Sequence, residues 1–348
     1  MIWDRIDRLI DRSPSLRDLQ AHGLHLLAAR RWRSLGRPIP ADLARAELWA
    51  ALRVNAAGDL MARIRAACEG PIVLIKGPSV ASLYPEPTLR PFIDLDLLVS
   101  DPEDAQRALL AAGFEPVPAR SHPDLAHHLH PLQFADRPLS VEVHRYPKWL
   151  PGLEPPSLGE LLEDAEPAAL GVDDVMTPTP AKHALILASH LWSHDPLARL
   201  LRLVDVAVMT AAADASELER IAKTWEMERV WRATTRVTGT LLGDRRPTPL
   251  PLRTWARNLS TAREPTVLEM HVARCVAPFW VLPPRRALAA LGAAVAGLIR
   301  PQPYESWGGK VRRTVAQLRQ PSMRRSDHAR DVNALRAGKQ LEDTPPPP

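Results

Sequence analysis

The run Phe92-Ile93-Asp94-Leu95-Asp96-Leu97-Leu98-Val99 constrains this chain more than any other segment. It is apolar except for two acids at alternate positions. In a strand, successive side chains point to opposite faces. Ile93, Leu95, Leu97 and Val99 then enter a core, while Asp94, Asp96 and Leu98 share the other face. Two like charges on one face of an apolar strand are costly unless something positive sits between them. A divalent cation is the usual solution, and carboxylate oxygens suit Mg²⁺, which keeps water and substrate phosphate in its shell.

A later segment repeats the device. In Ser140-Val141-Glu142-Val143-His144, the two valines take one face, and Glu142 and His144 the other. Beside the first strand, Glu142 completes a three-carboxylate cage. Three acids can hold two metals, and two metals can clamp both oxygens of an in-line phosphoryl displacement. Ahead of both lies the buried strand pattern Pro71-Ile72-Val73-Leu74-Ile75, followed by Lys76-Gly77-Pro78-Ser79 and a short helix over 78–83. Gly77 permits close backbone approach to a phosphate, and a helix start offers N–H groups to an anion. Lys76 adds a point charge, Ser79 a hydroxyl, and Arg90 a guanidinium within reach of a phosphate.

These strands sit between helical stretches. Apolar residues recur at helical spacing before residue 70 and again after 178. The reading is therefore α+β: a helical N-terminal region (1–69), a small mixed-sheet core (70–150), a proline-rich linker (151–177), a helical C-terminal domain (178–320), and a basic, Pro-rich tail (321–348) expected to be disordered. With 348 residues, 45% of them hydrophobic, a sizeable core is attainable. The 36 prolines keep most helices short. Cys68 and Cys275 lie far apart, outside any metal-binding pair, which fits a reducing cytoplasm. The charged N-terminus is not a signal peptide. The apolar stretch Ala287–Ile299 is too short for a bilayer, so it reads as a buried or interfacial helix, and no transmembrane segment is expected. Between Arg300 and Lys339, ten basic residues face three acids, a stretch able to touch RNA. His127-His128-Leu129-His130 reads as a solvent-facing loop between strands.

Leu74 to Val99 (LIKGPSVASLYPEPTLRPFIDLDLLV), followed by Val141-Glu142-Val143-His144, resembles the DNA polymerase beta-like nucleotidyltransferase superfamily. The similarity is to a bacterial group with Lys-Gly, Leu-Tyr-Pro, Arg, Asp-x-Asp and Glu-x-His elements. On the matching positions, the resemblance implies that Asp94, Asp96 and Glu142 are catalytic and hold Mg²⁺, two ions, with Mn²⁺ as the alternative. It also places Lys76, Gly77, Ser79 and Arg90 on the nucleotide phosphates. His144 falls on the last strand. His190 and His194, on one helix face with His183, would line the cleft, with Asp205 following. One departure stands out: Pro78 follows Gly77 where the superfamily has a residue with an N–H. The activity implied is transfer of a nucleoside monophosphate from an NTP to an acceptor, a small molecule, peptide or natural-product intermediate. Two alternatives stay open: a toxin-type nucleotidyltransferase modifying tRNA, and a non-catalytic nucleotide-binding scaffold.

Overall fold

The computed structural model describes residues 2–13, 15–118, 127–135, 137–193, 196–243, 253, 262–299, 301 and 306–317. It is an α+β protein with one seven-stranded mixed sheet and fourteen helices among the described residues. Four helices come first: α1 (Ile2–Asp11), α2 (Leu16–Ala21), α3 (His25–Ser34) and α4 (Ala41–Ala67). Pro38 and Pro40 separate the last two, and Pro40 stands at the start of α4, where its missing N–H costs nothing.

The sheet contains β1 (Ile72–Ile75), β2 (Asp94–Val99), β3 (Glu115–Pro116), β4 (Leu132–Gln133), β5 (Ser140–His144), β6 (Glu166–Pro167) and β7 (Val175–Thr177). Their spatial order is β3-β4-β5-β2-β1-β7-β6. Strand β2 is central, antiparallel to β1 and parallel to β5. Between the strands lie α5 (Gly77–Ala81), a 3₁₀ turn (Pro87–Leu89), α6 (Pro102–Ala111) and α7 (Leu158–Leu162). Asp101 caps α6 by accepting the Asp104 N–H at 2.8 Å.

The 151–177 segment is not a linker. It carries α7, begun by the capping box of Ser157 and Glu160, and the β6–β7 pair. Strand β7 joins β1 in parallel, so the segment widens the sheet. Its prolines obscured strands only two or three residues long, too brief to show an alternating pattern.

Helices α8 (Pro180–Ser193), α9 (Leu200–Ala212), α10 (Ala215–Thr224), α11 (Glu228–Leu241), α12 (Val267–Val281), α13 (Pro284–Ile299) and α14 (Trp307–Gln317) follow. Helices α10 and α11 follow each other closely, separated where Glu226 adopts φ 54°. The apolar stretch 287–299 is helical, but Leu288 and Ile299 stay 60% and 54% exposed. Among the described residues no helix is long and apolar enough to cross a membrane.

The sheet separates two cores. Ile72, Leu74, Leu95, Leu97, Val141 and Val143 pack on one face with Leu60 and Ile64 of α4 and Leu109 of α6. Val73, Ile75 and Leu98 face the other way, into a core shared by α1–α3 and α8–α11. The N-terminal and C-terminal helices therefore bury one another. His22 strengthens that union: its ring meets the Leu200 N–H at 3.2 Å and the Arg263 carbonyl at 2.9 Å.

Candidate active site

The register of the central strands assembles the acids. Asp94 pairs with Ser140, Asp96 with Glu142, and Leu98 with His144. Parallel partners in register present the same face, so Asp94, Asp96, Glu142 and His144 lie together, opposite the packed face of Leu95, Leu97, Val141 and Val143.

Asp96 is the centre of this group. Its Oδ1 accepts from Lys76 Nζ at 2.6 Å and from His144 Nε2 at 2.8 Å. His144 Nε2 also lies 3.6 Å from Glu142 Oε2. Burial pushes the Asp96 carboxyl up, but the Lys76 charge and the His144 hydrogen bond overcome it and hold Asp96 well below the usual carboxylate range. Burial likewise opposes charge on Lys76, and the carboxylates of Asp96 and Asp94 restore it. His144 follows the same pattern: burial lowers its pKa, and the hydrogen bonds to Asp96 and Glu142 raise it above the ordinary value.

Asp94 differs. Among the described residues no cation is bonded to it, and burial together with the charges of Asp96 and Glu142 pushes its carboxyl up to about 7. The site thus carries more negative charge than Lys76 alone neutralises. Asp96, Glu142 and His144 each offer one ligand atom, all within 4.8 Å of one another. Two carboxylates and an imidazole at that spacing, beside an uncompensated acid, fit a hard or borderline divalent cation such as Mg²⁺ or Mn²⁺.

The turn beside the acids is held from outside the sheet. Lys76 has φ 56° and ψ −146°, a conformation costly for a residue with a Cβ. Its N–H donates to His183 Nε2 of α8 at 2.9 Å. Burial, then the charges of Arg90 and Lys76, push the His183 pKa down to about 3, so the ring is neutral and able to accept. Gly77 has φ 41°, and a Cβ there would stand 3.2 Å from the Asp94 carbonyl oxygen. The Gly77 carbonyl accepts from Arg90 Nη1 at 3.2 Å. Arg90 is in turn gripped by Asp205 of α9 through two hydrogen bonds of 2.9 Å, and Tyr84 Oη donates to the same carboxylate at 2.7 Å.

Two expected phosphate ligands are therefore turned elsewhere. Arg90 is buried, and the Asp205 carboxylate holds it because an unpaired guanidinium there would be far costlier. Ser79 is buried, with its hydroxyl directed to the Leu74 carbonyl at 3.4 Å. The backbone is equally committed. The Ser79 and Val80 N–H groups donate to the Lys76 carbonyl, and Pro78 has none to offer. Of Lys76, Gly77, Ser79 and Arg90, only the Lys76 side chain reaches the carboxylates.

The histidines also rearrange the expectation. His127 and His128 are buried, not solvent-facing, and stack around His144 with ring centroids 5.5 and 5.4 Å away. Their backbone pairs with the end of β5: Leu129 N–H donates to the Val143 carbonyl and Arg145 N–H to the His127 carbonyl. Burial, and then the Lys148 charge, push the His127 pKa down to about 3. Nothing in the alternation of this short segment marked it as a strand extension. His190 is half-buried near the end of α8, two helical turns beyond His183, and His194 lies outside the described residues.

No curated protein and no solved structure matches the chain. A family model does, over residues 10–243, under the description of an uncharacterised nucleotidyltransferase. That span holds every strand of the sheet, the carboxylates, and the two helices that clamp the Lys76 turn, and by it the chain belongs to this nucleotidyltransferase family.

Proposed function

We propose that the chain transfers a nucleoside monophosphate from an NTP to an acceptor, as an enzyme of the DNA polymerase beta-like superfamily and of its Lys-Gly, Asp-x-Asp, Glu-x-His group. The observation that carries this reading is the in-register pairing of Asp96 with Glu142 and of Leu98 with His144, beside the Lys76 ammonium.

Asp94, Asp96 and Glu142 would hold divalent ions, Mg²⁺ or Mn²⁺, with His144 as a further donor once the ion displaces the proton its Nε2 shares with Asp96. When bound, such ions neutralise the charge that develops on the phosphate oxygens. In the reaction, an acceptor oxygen attacks the α-phosphorus, the bond to the bridging oxygen breaks, and pyrophosphate leaves. Lys76 steadies the phosphates and can remain within reach of Asp96. Glu142, whose side chain is 23% exposed, is open enough to take the acceptor proton. His183, Arg90 and Asp205 shape the turn without touching substrate.

A second reading, a non-catalytic nucleotide-binding scaffold, draws on one observation. Lys76 and His144 already converge on Asp96 Oδ1, as cationic partners do in a closed network. Calorimetry separates the two. Titration of Mg–NTP into the wild type and into Asp94→Asn/Asp96→Asn should show binding only in the wild type, and pyrophosphate should appear once an acceptor is present. Tight binding with no pyrophosphate from any acceptor favours the scaffold. Identical titrations of both proteins would remove the carboxylates from the site.

A further inference from the structure

A second charged feature lies away from the carboxylates. Helices α10, α11 and α12 border a groove of about 640 Å³. Five cations line it, Lys223, Arg229, Arg232, Arg236 and Arg286, against Glu226 and Glu228. Two of the five are spoken for: Arg286 pairs with Glu226 at 2.8 Å, and Arg229 donates to the Phe279 carbonyl at 3.1 Å, tying α11 to α12. The guanidinium groups of Arg232 and Arg236 have no partner among the described residues.

Arg229, Arg232 and Arg236 stand at i, i+3 and i+7 on α11, so they form one stripe about 10 Å long. A stripe of that length suits several phosphates in a row better than a single one. Phe279, 39% exposed, and Trp280 supply aromatic surface along the same groove. A positively charged groove flanked by aromatic side chains is the surface on which a single strand runs its phosphates and stacks its bases.

The groove is coupled to the turn through α8. His183 on that helix holds the Lys76 N–H. Nine residues further along, roughly 14 Å at the rise of an α-helix, Trp192 donates to Thr234 of α11 at 2.8 Å. Thr234 lies between Arg232 and Arg236, and the Trp192 ring packs on Trp280 with centroids 6.0 Å apart. Helix α8 thus touches both the Lys76 turn and the α11–α12 wall of the groove in which an extended acceptor would lie.

We infer that this groove binds the sugar-phosphate strand of a single-stranded nucleic acid acceptor. The inference deepens the nucleotidyl-transfer reading and rests on it for the word acceptor, but the binding is testable apart from it. The probe is a labelled single-stranded RNA of about a dozen nucleotides, within the length such grooves cover, followed by fluorescence anisotropy through a salt titration. The wild type should bind with log K falling against log salt at a slope near −2, as about three released counterions require. Arg232→Gln/Arg236→Gln, which removes charge from guanidinium groups without a partner among the described residues, should lose about tenfold or more in affinity and flatten the slope, with its melting temperature unchanged. Asp94→Asn/Asp96→Asn should bind the RNA as the wild type does. No binding by the wild type, or equal affinity and slope in the arginine variant, would overturn the proposal, because the basic residues after Arg300 are intact in both. Loss of NTP binding with RNA binding still dependent on the arginines would sink the nucleotidyl-transfer reading and leave the groove standing.

Discussion

At the scale of single residues, charge decides more than packing. Asp94 illustrates it. Its carboxyl titrates near 7 in the folded chain, against 3.8 for an ordinary aspartate. Below about pH 4 the group is protonated in both folded and unfolded states and contributes nothing. As pH rises towards 7, the unfolded chain loses that proton and the folded one is penalised for doing so. Asp94→Asn should therefore raise the melting temperature above pH 7 and leave it unchanged near pH 4. Because Asp94 is partly open to solvent, the gain should be about 1–3 kcal/mol, below the full value of its shift. Melting curves from pH 4 to 8 check this, and Mn²⁺ should narrow the difference by stabilising only the wild type. His183 offers a second case. Its neutral ring accepts one N–H from a strained residue. His183→Ala leaves that donor buried, so stability should drop by about 1–3 kcal/mol and nucleotide affinity should fall with it, whereas His183→Gln, which can still accept, should restore part of both.

At the scale of elements, the Lys76–Gly77 turn depends on two helices that lie over a hundred residues downstream. Asp205→Ala leaves the buried Arg90 without its counter-charge, and a loss of about 3–5 kcal/mol is expected. Gly77→Ala adds a Cβ at positive φ and against the Asp94 carbonyl, so it should cost about 1–3 kcal/mol and abolish NTP binding. Denaturant melts and calorimetry on the two variants check both outcomes. The same elements mark how far the sequence could be read. The β2 and β5 faces were legible because a period of two forces Asp96 and Glu142 away from the apolar side, and the register supplies the neighbour relation. The downstream grip was not legible. Arg90 and Asp205 are 115 residues apart, and no local pattern says that a guanidinium four residues before an acid pair will bind a distant carboxylate instead of a phosphate. The β6–β7 pair was hidden by its brevity, and the burial of His127 and His128 by a backbone pairing that side-chain periodicity cannot reveal.

At the scale of the whole molecule, the helices at the two ends of the matched region share one core on the carboxylate side of the sheet. Leu27 of α3 is fully buried there, alongside α8 and α9 residues. Leu27→Ala should therefore cost about 2–5 kcal/mol and lower one cooperative transition, seen alike by tryptophan fluorescence and by far-UV dichroism. Two separate transitions would show that the N-terminal helices are an independent unit. Helices α13 and α14 near the other end also keep apolar side chains in solvent, with Leu288, Trp307, Val311 and Val315 59–66% exposed.

The long-range grip on the Lys76 turn also sets an order in time. During synthesis the carboxylates of β2 emerge well before His183 and Asp205, about a hundred residues later, or roughly five to twenty seconds at ordinary translation rates. Until then the strained Lys76 turn lacks the His183 acceptor and the Asp205 grip on Arg90. On the nucleotidyl-transfer proposal, a nascent chain that already owns its acids is not yet competent towards nucleotides, and competence arrives late, when α9 docks and the turn is clamped.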